Sequence, residues 1–277
     1  MFPHSARTER LTSLTERVTG RTERLAALRA EVRAIEVAGA GTDGARPCLG
    51  FGIAAIDRRL ADGGLAAAAL HEIAAAGAGL GDDAAATLFL AGIAGRCAAQ
   101  EGSAGGRGSG GTILWALRRR DLFAPGLACA GLAPDRLLYA ECGHDEDVLA
   151  VMEEGLRHGG LDAVVGEVGR AAMAATRRLQ LAAEEGGTMA LMLRRWRRSG
   201  EDPLGLPSAA MTRWRIASLP SADLPMPGVG RARWRLTLVR QRGGEPFETI
   251  MEANDAESRL ALPAVSEHRP DPAARAA

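Results

Sequence analysis

Lysine is missing from this chain: all 34 basic residues are arginine. No phosphate-binding lysine, Schiff-base lysine or lysine general base can therefore exist. Ordinary kinases, intact P-loop ATPases and pyridoxal-phosphate enzymes are excluded before any motif is read. Cysteine is scarce and scattered. Cys48, Cys97, Cys129 and Cys142 form no CxxC pair, and the five histidines add no zinc spacing. Net charge is absent too, because 34 acidic residues balance the arginines. Bulk charge thus gives no argument for nucleic acid or an anionic membrane. No apolar run reaches membrane-spanning length, and Met1-Phe2-Pro3-His4-Ser5 does not open a signal peptide. The expectation is a soluble cytoplasmic protein with reduced thiols, no metal, no cofactor and no membrane partner.

What is present is apolar material. Of 277 residues, 47% are hydrophobic, enough for one large domain with an appended element. Residues 1–38 read as an amphipathic helix. Leu11, Leu14, Val18, Leu25, Leu28, Val32 and Ile35 fall on a and d positions of a heptad, broken where Arg21 takes a d site. So narrow a stripe suits another helix or a groove, on a partner or on the chain's own domain. Residues 39–48 read as a linker, with Gly39, Gly41 and Gly44 supplying flexibility.

The core is expected over residues 49–262. Strands at 67–75, 112–117, 136–141, 161–168 and 188–194 alternate with helices at 83–100, 121–131, 145–158 and 171–185. This βα alternation predicts a mainly parallel sheet flanked by helices. Alternating polar and apolar residues over 212–219 and 231–240 predict antiparallel strands. Arg242-Gly243-Gly244-Glu245 then turns the chain into a C-terminal hairpin with 247–252. Residues 263–277, with Pro263, Pro270 and Pro272, read as a flexible tail.

The first core strand runs into a loop with Gly77, Gly79 and Gly81, followed by Asp82, Asp83 and a helix. Strand, glycine loop and helix form the architecture of a phosphate cradle. A working loop ends in Gly-Lys and a hydroxyl residue. Counted from Gly77 the lysine position is Asp83, and counted back from Gly81 it is Asp82. Either carboxylate reverses the charge a phosphate needs, so the loop reads as inactive. Both aspartates suit helix N-caps instead. Glu167, at the end of an apolar strand, stands where nucleotide hydrolases hold magnesium.

Arginine clusters supply the remaining chemistry. Arg118, Arg119 and Arg120 follow one strand, and Arg194, Arg195, Arg197 and Arg198 surround Trp196 after another. Both lie at C-terminal strand ends, where α/β folds place ligands, and so form a candidate rim for DNA or a protein partner. Arg213-Trp214-Arg215 and Arg233-Trp234-Arg235 lie within strands. There, alternation puts Trp in the core and Arg in solvent. His71 and His144 stand alone and read as structural.

Several segments together resemble the RecA-type core, and within it the ImuA family of inducible-mutagenesis cassettes, formerly grouped with SulA-type division inhibitors. They are Leu49-Gly50-Phe51-Gly52-Ile53-Ala54-Ala55-Ile56-Asp57, Gly63-Gly64-Leu65, Leu70-His71-Glu72-Ile73, Ile113-Leu114-Trp115 and Asp121-Leu122-Phe123-Ala124-Pro125-Gly126-Leu127. Met152-Glu153-Glu154-Gly155-Leu156-Arg157 and Arg177-Arg178-Leu179-Gln180-Leu181 continue the likeness. The resemblance implies a RecA-like fold with a protruding N-terminal helix that packs on a neighbour. It also implies a role in DNA-damage-induced (SOS) translesion synthesis, beside an ImuB-like Y-family polymerase homologue and an error-prone C-family polymerase. Departures from RecA lie at Asp82 and Asp83, and at Arg118 to Arg120, where no catalytic glutamate follows the strand. A non-catalytic accessory protein is expected. The alternatives are a DNA-dependent ATPase or recombinase, and a cell-division inhibitor.

Overall fold

The computed structural model describes residues 47–99, 111–196, 200–221 and 228–263. The heptad segment 1–38, most of the 39–48 linker, the tail from 264, Arg197 and Arg198 lie outside the described residues. Contacts divide the chain into Met1–Ala45 and Arg46–Ala277, and every described element belongs to the second unit.

That unit opens with a small antiparallel pair, β1 (Cys48–Leu49) and β2 (Leu65–Ala66), enclosing the short helix α1 (Ala54–Asp57). The Asp57 carboxylate accepts from Phe51 N at 2.6 Å and Ile53 N at 3.0 Å, which closes the turn before α1. Gly64 packs against the Leu49 backbone so closely that a Cβ there would lie 2.7 Å from the Leu49 carbonyl carbon. The Gly-Phe-Gly and Gly-Gly-Leu motifs are thus explained by local backbone geometry.

β3 (Leu70–Ala75), β4 (Ile113–Leu117), β5 (Leu137–Glu141), β6 (Ala163–Val168), β7 (Met189–Arg194) and β8 (Thr212–Leu219) run parallel to one another. β9 (Arg233–Gln241) and β10 (Phe247–Glu252) add an antiparallel hairpin beyond β8. The eight-stranded order is β10-β9-β8-β3-β7-β6-β4-β5. β3, β6 and β7 are buried throughout, as the near-continuous apolar sequences of β6 and β7 require of central parallel strands, while β3 buries His71 and Glu72 as well. The mainly parallel sheet and the C-terminal hairpin therefore stand as expected.

Helices cover both faces. α2 (Leu80–Ala99) packs Phe89 and Leu90 into one core with Trp115, Val165, Leu191 and Trp214. The short α3 (Ala124–Cys129) adds Leu127 to the same core. On the other face, α4 (Asp145–His158) brings Val148, Met152 and Leu156 against Leu70, Val164 and Met192. α5 (Met173–Gly186) contributes Leu179 there. Each fully buried Leu or Phe contributes about 1.5–3 kcal/mol. α4 has the bounds its sequence predicts, and Gly159, at φ 67°, ends it in the left-handed region.

Trp214 and Trp234 point inward as alternation demands, in an aromatic cluster with Phe51, Phe89 and Phe247. Arg213 departs from expectation: it is buried, because Glu72 waits directly across the β3–β8 ladder. α2 also begins earlier than expected, with Asp83 N already donating to Gly79 O. Asp82 and Asp83 therefore lie inside the first helical turn and are not N-caps, and both carboxylates act at a distance. No helix among the described residues is long and apolar enough to cross a membrane.

Candidate functional site

The site lies where the parallel strands end. The β3–α2 loop carries Gly77 and Gly79 over the end of β3, and α2 then opens with Leu80, 88% exposed, and Gly81. Asp82 Oδ1 accepts from Ser218 N at 2.8 Å, which ties the loop to β8. Asp83 turns the other way, toward β7.

There the Arg195 guanidinium lies between two carboxylates. Nη1 donates to Asp83 Oδ2 at 2.6 Å and to Thr87 Oγ1 at 3.0 Å. Nε donates to Glu167 Oε2 at 2.9 Å, and Nη2 lies at the same distance from that oxygen. Trp115 Nε1 donates to the other oxygen, Glu167 Oε1, at 2.8 Å. Both Glu167 oxygens are thereby engaged from inside the protein. Burial pushes the Glu167 carboxyl above its ordinary range, against the opposing pull of Arg195 and the Trp115 hydrogen bond. Burial alone would lower the Arg195 pKa, but Glu167 and Asp83 outweigh it and hold it above the usual value.

Beside this pair a cavity of about 260 Å³ opens, lined by Arg118, Arg119, Asp145, Glu167, Arg195 and Trp196. Asp145 organises its far wall. Its Oδ1 accepts from Arg118 Nη1 at 2.8 Å, and its Oδ2 accepts from Gly169 N and Arg170 N at 3.2 and 3.0 Å. Trp196 donates from Nε1 to Ala75 O at 3.0 Å, fixing its ring over the end of β3.

The structure sorts the arginines predicted as one rim. Arg119 and Arg120 are exposed and paired with Asp121 at 2.9 Å and Glu141 at 2.7 Å. Such surface pairs contribute little stability and exchange readily. Arg118 is exposed as well, and is paired with the buried Asp145 at 2.8 Å. Arg195 is mostly buried between Asp83 and Glu167, and Arg194 is withdrawn on the opposite sheet face, its side chain 1% exposed. A single solvent-facing rim of these residues is therefore corrected: only Arg118 to Arg120 face outward among those described.

His71 is structural, as expected. It lies fully buried between Thr212 Oγ1 at 2.8 Å and Ala66 O at 2.9 Å. The sequence singles out neither Thr87 nor Asp145, and Trp115 and Trp196 enter it only as members of longer motifs. Parity carried a usable signal, since Trp115 pairs with Val165 across β4–β6 and so shares a face with Glu167. Among the described residues no group of three or more His, Cys, Asp or Glu converges as a metal site.

No protein-family model matches the chain. It is 36% identical over 228 residues to Protein ImuA of Caulobacter vibrioides, in strains NA1000 and CB 15. That match covers 78% of this chain and 88% of the relative. Among solved structures it is similar to SulA from Pseudomonas aeruginosa, with a TM-score of 0.37 and 23% identity. That similarity covers 46% of this chain and 97% of the other.

Proposed function

The chain belongs to the ImuA family, and on that footing we propose that it is a non-catalytic, RecA-like accessory protein of DNA-damage-induced mutagenic translesion synthesis. It works in the cytoplasm in complex with an ImuB-like polymerase homologue and, through it, an error-prone C-family polymerase. The heptad stripe of residues 11–35 is its partner-docking or self-association element.

One observation carries the non-catalytic reading: Arg195 occupies the space between Asp83 and Glu167. In a RecA-type ATPase the corresponding region takes a lysine ammonium and a magnesium ion against the nucleotide phosphates. Here the cation is an arginine side chain already neutralised by two acids. Magnesium would have to displace it from Glu167, and a phosphate would have to approach Asp82 and Asp83. The residues present do not fit a magnesium nucleotide, and the glycine loop serves to tie α2 to β7 and β8.

Turnover of ATP, with and without single-stranded DNA, tests this reading. No hydrolysis above background is expected, together with co-purification of the ImuB-like homologue when both are produced in one cell. DNA-stimulated hydrolysis that disappears in Glu167→Gln would establish the ATPase alternative. Filamentation on overproduction without DNA damage would establish the division-inhibitor alternative.

A further inference from the structure

Glu72 sits in the middle of β3, fully buried, with two guanidiniums on its one carboxylate. Arg194 donates from Nη1 to Oε1 at 3.0 Å, and Arg213 from Nε to Oε2 at 2.7 Å. Ser208 Oγ adds a third donor to Oε1 at 2.9 Å. The carboxylate is saturated, yet the arginines are not. Arg194 Nε and Arg213 Nη2 are buried and have no hydrogen-bond partner. Among the described residues the Arg194 guanidinium has one further polar contact, a weak one from Nη1 to Met192 Sδ at 3.8 Å.

Two cations share one anion in a region withdrawn from water, which leaves an excess of one positive charge. Neighbouring acids do not cancel it by contact. Asp145 is held by Arg118, and Asp202 accepts from Arg215 Nη2 at 3.0 and 2.9 Å. Buried donors, above all charged ones, are costly to leave unmade, so native proteins satisfy them with protein, water or a ligand. Space for a ligand adjoins Arg194. A cavity of about 320 Å³, lined among others by Gly169, Arg170, Arg194, Glu201 and Asp202, reaches Arg194 from the strand ends. Glu201 at its mouth is neutralised by Arg170 at 2.9 Å.

We propose that the Arg194 guanidinium, reached through this cavity, binds a small oxyanion of the phosphate type, with Arg213 adding positive charge from the other oxygen of Glu72. Glu72 takes only the Nη1 corner of Arg194, and the free Nε side is the part of the planar fork that receives oxyanions. The anion neutralises the excess charge beside the end of β7. The proposal is independent of whether the glycine loop binds nucleotide. The same chemistry has two sources, free phosphate or the phosphate of an ester such as a nucleotide or an oligonucleotide end.

The test titrates inorganic phosphate into the full chain at constant ionic strength, with chloride as the balancing anion. It follows both melting temperature and the ³¹P linewidth. A saturable rise in melting temperature with matching line broadening is expected. Arg194→Lys keeps the charge opposite Glu72 but loses the fork, and should weaken half-saturation about tenfold or more. Should Arg194→Lys fail to fold, the Arg194 Nε–H resonance of the parent chain reads the same site: it must shift saturably with phosphate and not with chloride, and an unmoved resonance overturns the proposal. A stronger response to ATP or to a 5′-phosphorylated oligonucleotide, lost in Arg194→Lys and competed by phosphate, identifies an ester as the source. Equal responses to chloride and phosphate, or an unchanged phosphate response in Arg194→Lys, mean an adventitious ion only and overturn the proposal.

Discussion

Arg195 and Glu167 are joined by a side-on pair, Nε and Nη2 both 2.9 Å from Oε2, so that the cation at the strand ends is covalently part of the protein. The pair bridges adjacent strands, and the reach of Arg195 to Asp83 adds the first turn of α2. One side chain thereby fixes three elements at the ends of the parallel strands.

Replacing Arg195 with Ala should be costly, because it strands Glu167, only 5% exposed, as an unpaired acid. A loss on the order of 3 kcal/mol in urea unfolding at neutral pH is expected. The loss should shrink in Arg195→Ala/Glu167→Gln, where no charge is left behind. Without Arg195 the already raised Glu167 pKa moves further up. A carboxyl raised in the folded state contributes stability at low pH that is lost as pH climbs through its folded pKa. The single variant should therefore be closer to the parent at pH 5 than at pH 8. An equal gap at both values would mean that Glu167 is not the stranded group.

His71 should set part of the acid limit of the fold. Burial pulls its pKa from 6.5 to about 4, against the smaller opposing effect of its hydrogen bond to Ala66 O. A group depressed in the folded state contributes stability that is complete above the unfolded pKa and is lost as pH falls toward the folded one. Between pH 6.5 and about 4 this single site should cost roughly 3 kcal/mol. His71→Gln should flatten that part of the stability profile while lowering its plateau. NMR titration showing the imidazole protonating near its ordinary pKa would contradict the assignment.

Deletion of residues 1–38 should separate association from folding. Every described element lies in Arg46–Ala277. A melting temperature nearly unchanged is expected, together with loss of self-association or of binding to the ImuB-like partner. The stripe from Leu11 to Ile35 is too apolar for an isolated helix to leave in water. A truncated chain that unfolds, or one that keeps full association in sedimentation, would place the stripe against its own domain.

Much of the architecture was legible because it follows from short-range periodicity. β8, β10 and α4 fall on their expected bounds, since a period of two or a capped amphipathic run is complete within each segment. The inward turn of Trp214 and Trp234 was legible for the same reason. The start of α2 was less so: the helix begins at Leu80, where the Gly79 carbonyl accepts from Asp83 N, a start that composition alone does not reveal.

By itself the sequence determined that no lysine could serve phosphate chemistry, that the chain would build a mainly parallel sheet, and that carboxylates would stand at the glycine loop. Only the tertiary structure decided what answers those carboxylates. Arg194 and Arg195 are neighbours in the same basic run, yet they serve opposite faces of the sheet at the end of β7. Alternation predicts that they diverge, but not what they meet. The crossover order places β3 with Glu72 on one side of β7 and β6 with Glu167 on the other. Strand order is set by the packing of whole helices against the sheet, and pairings of such sequence separation leave no local trace.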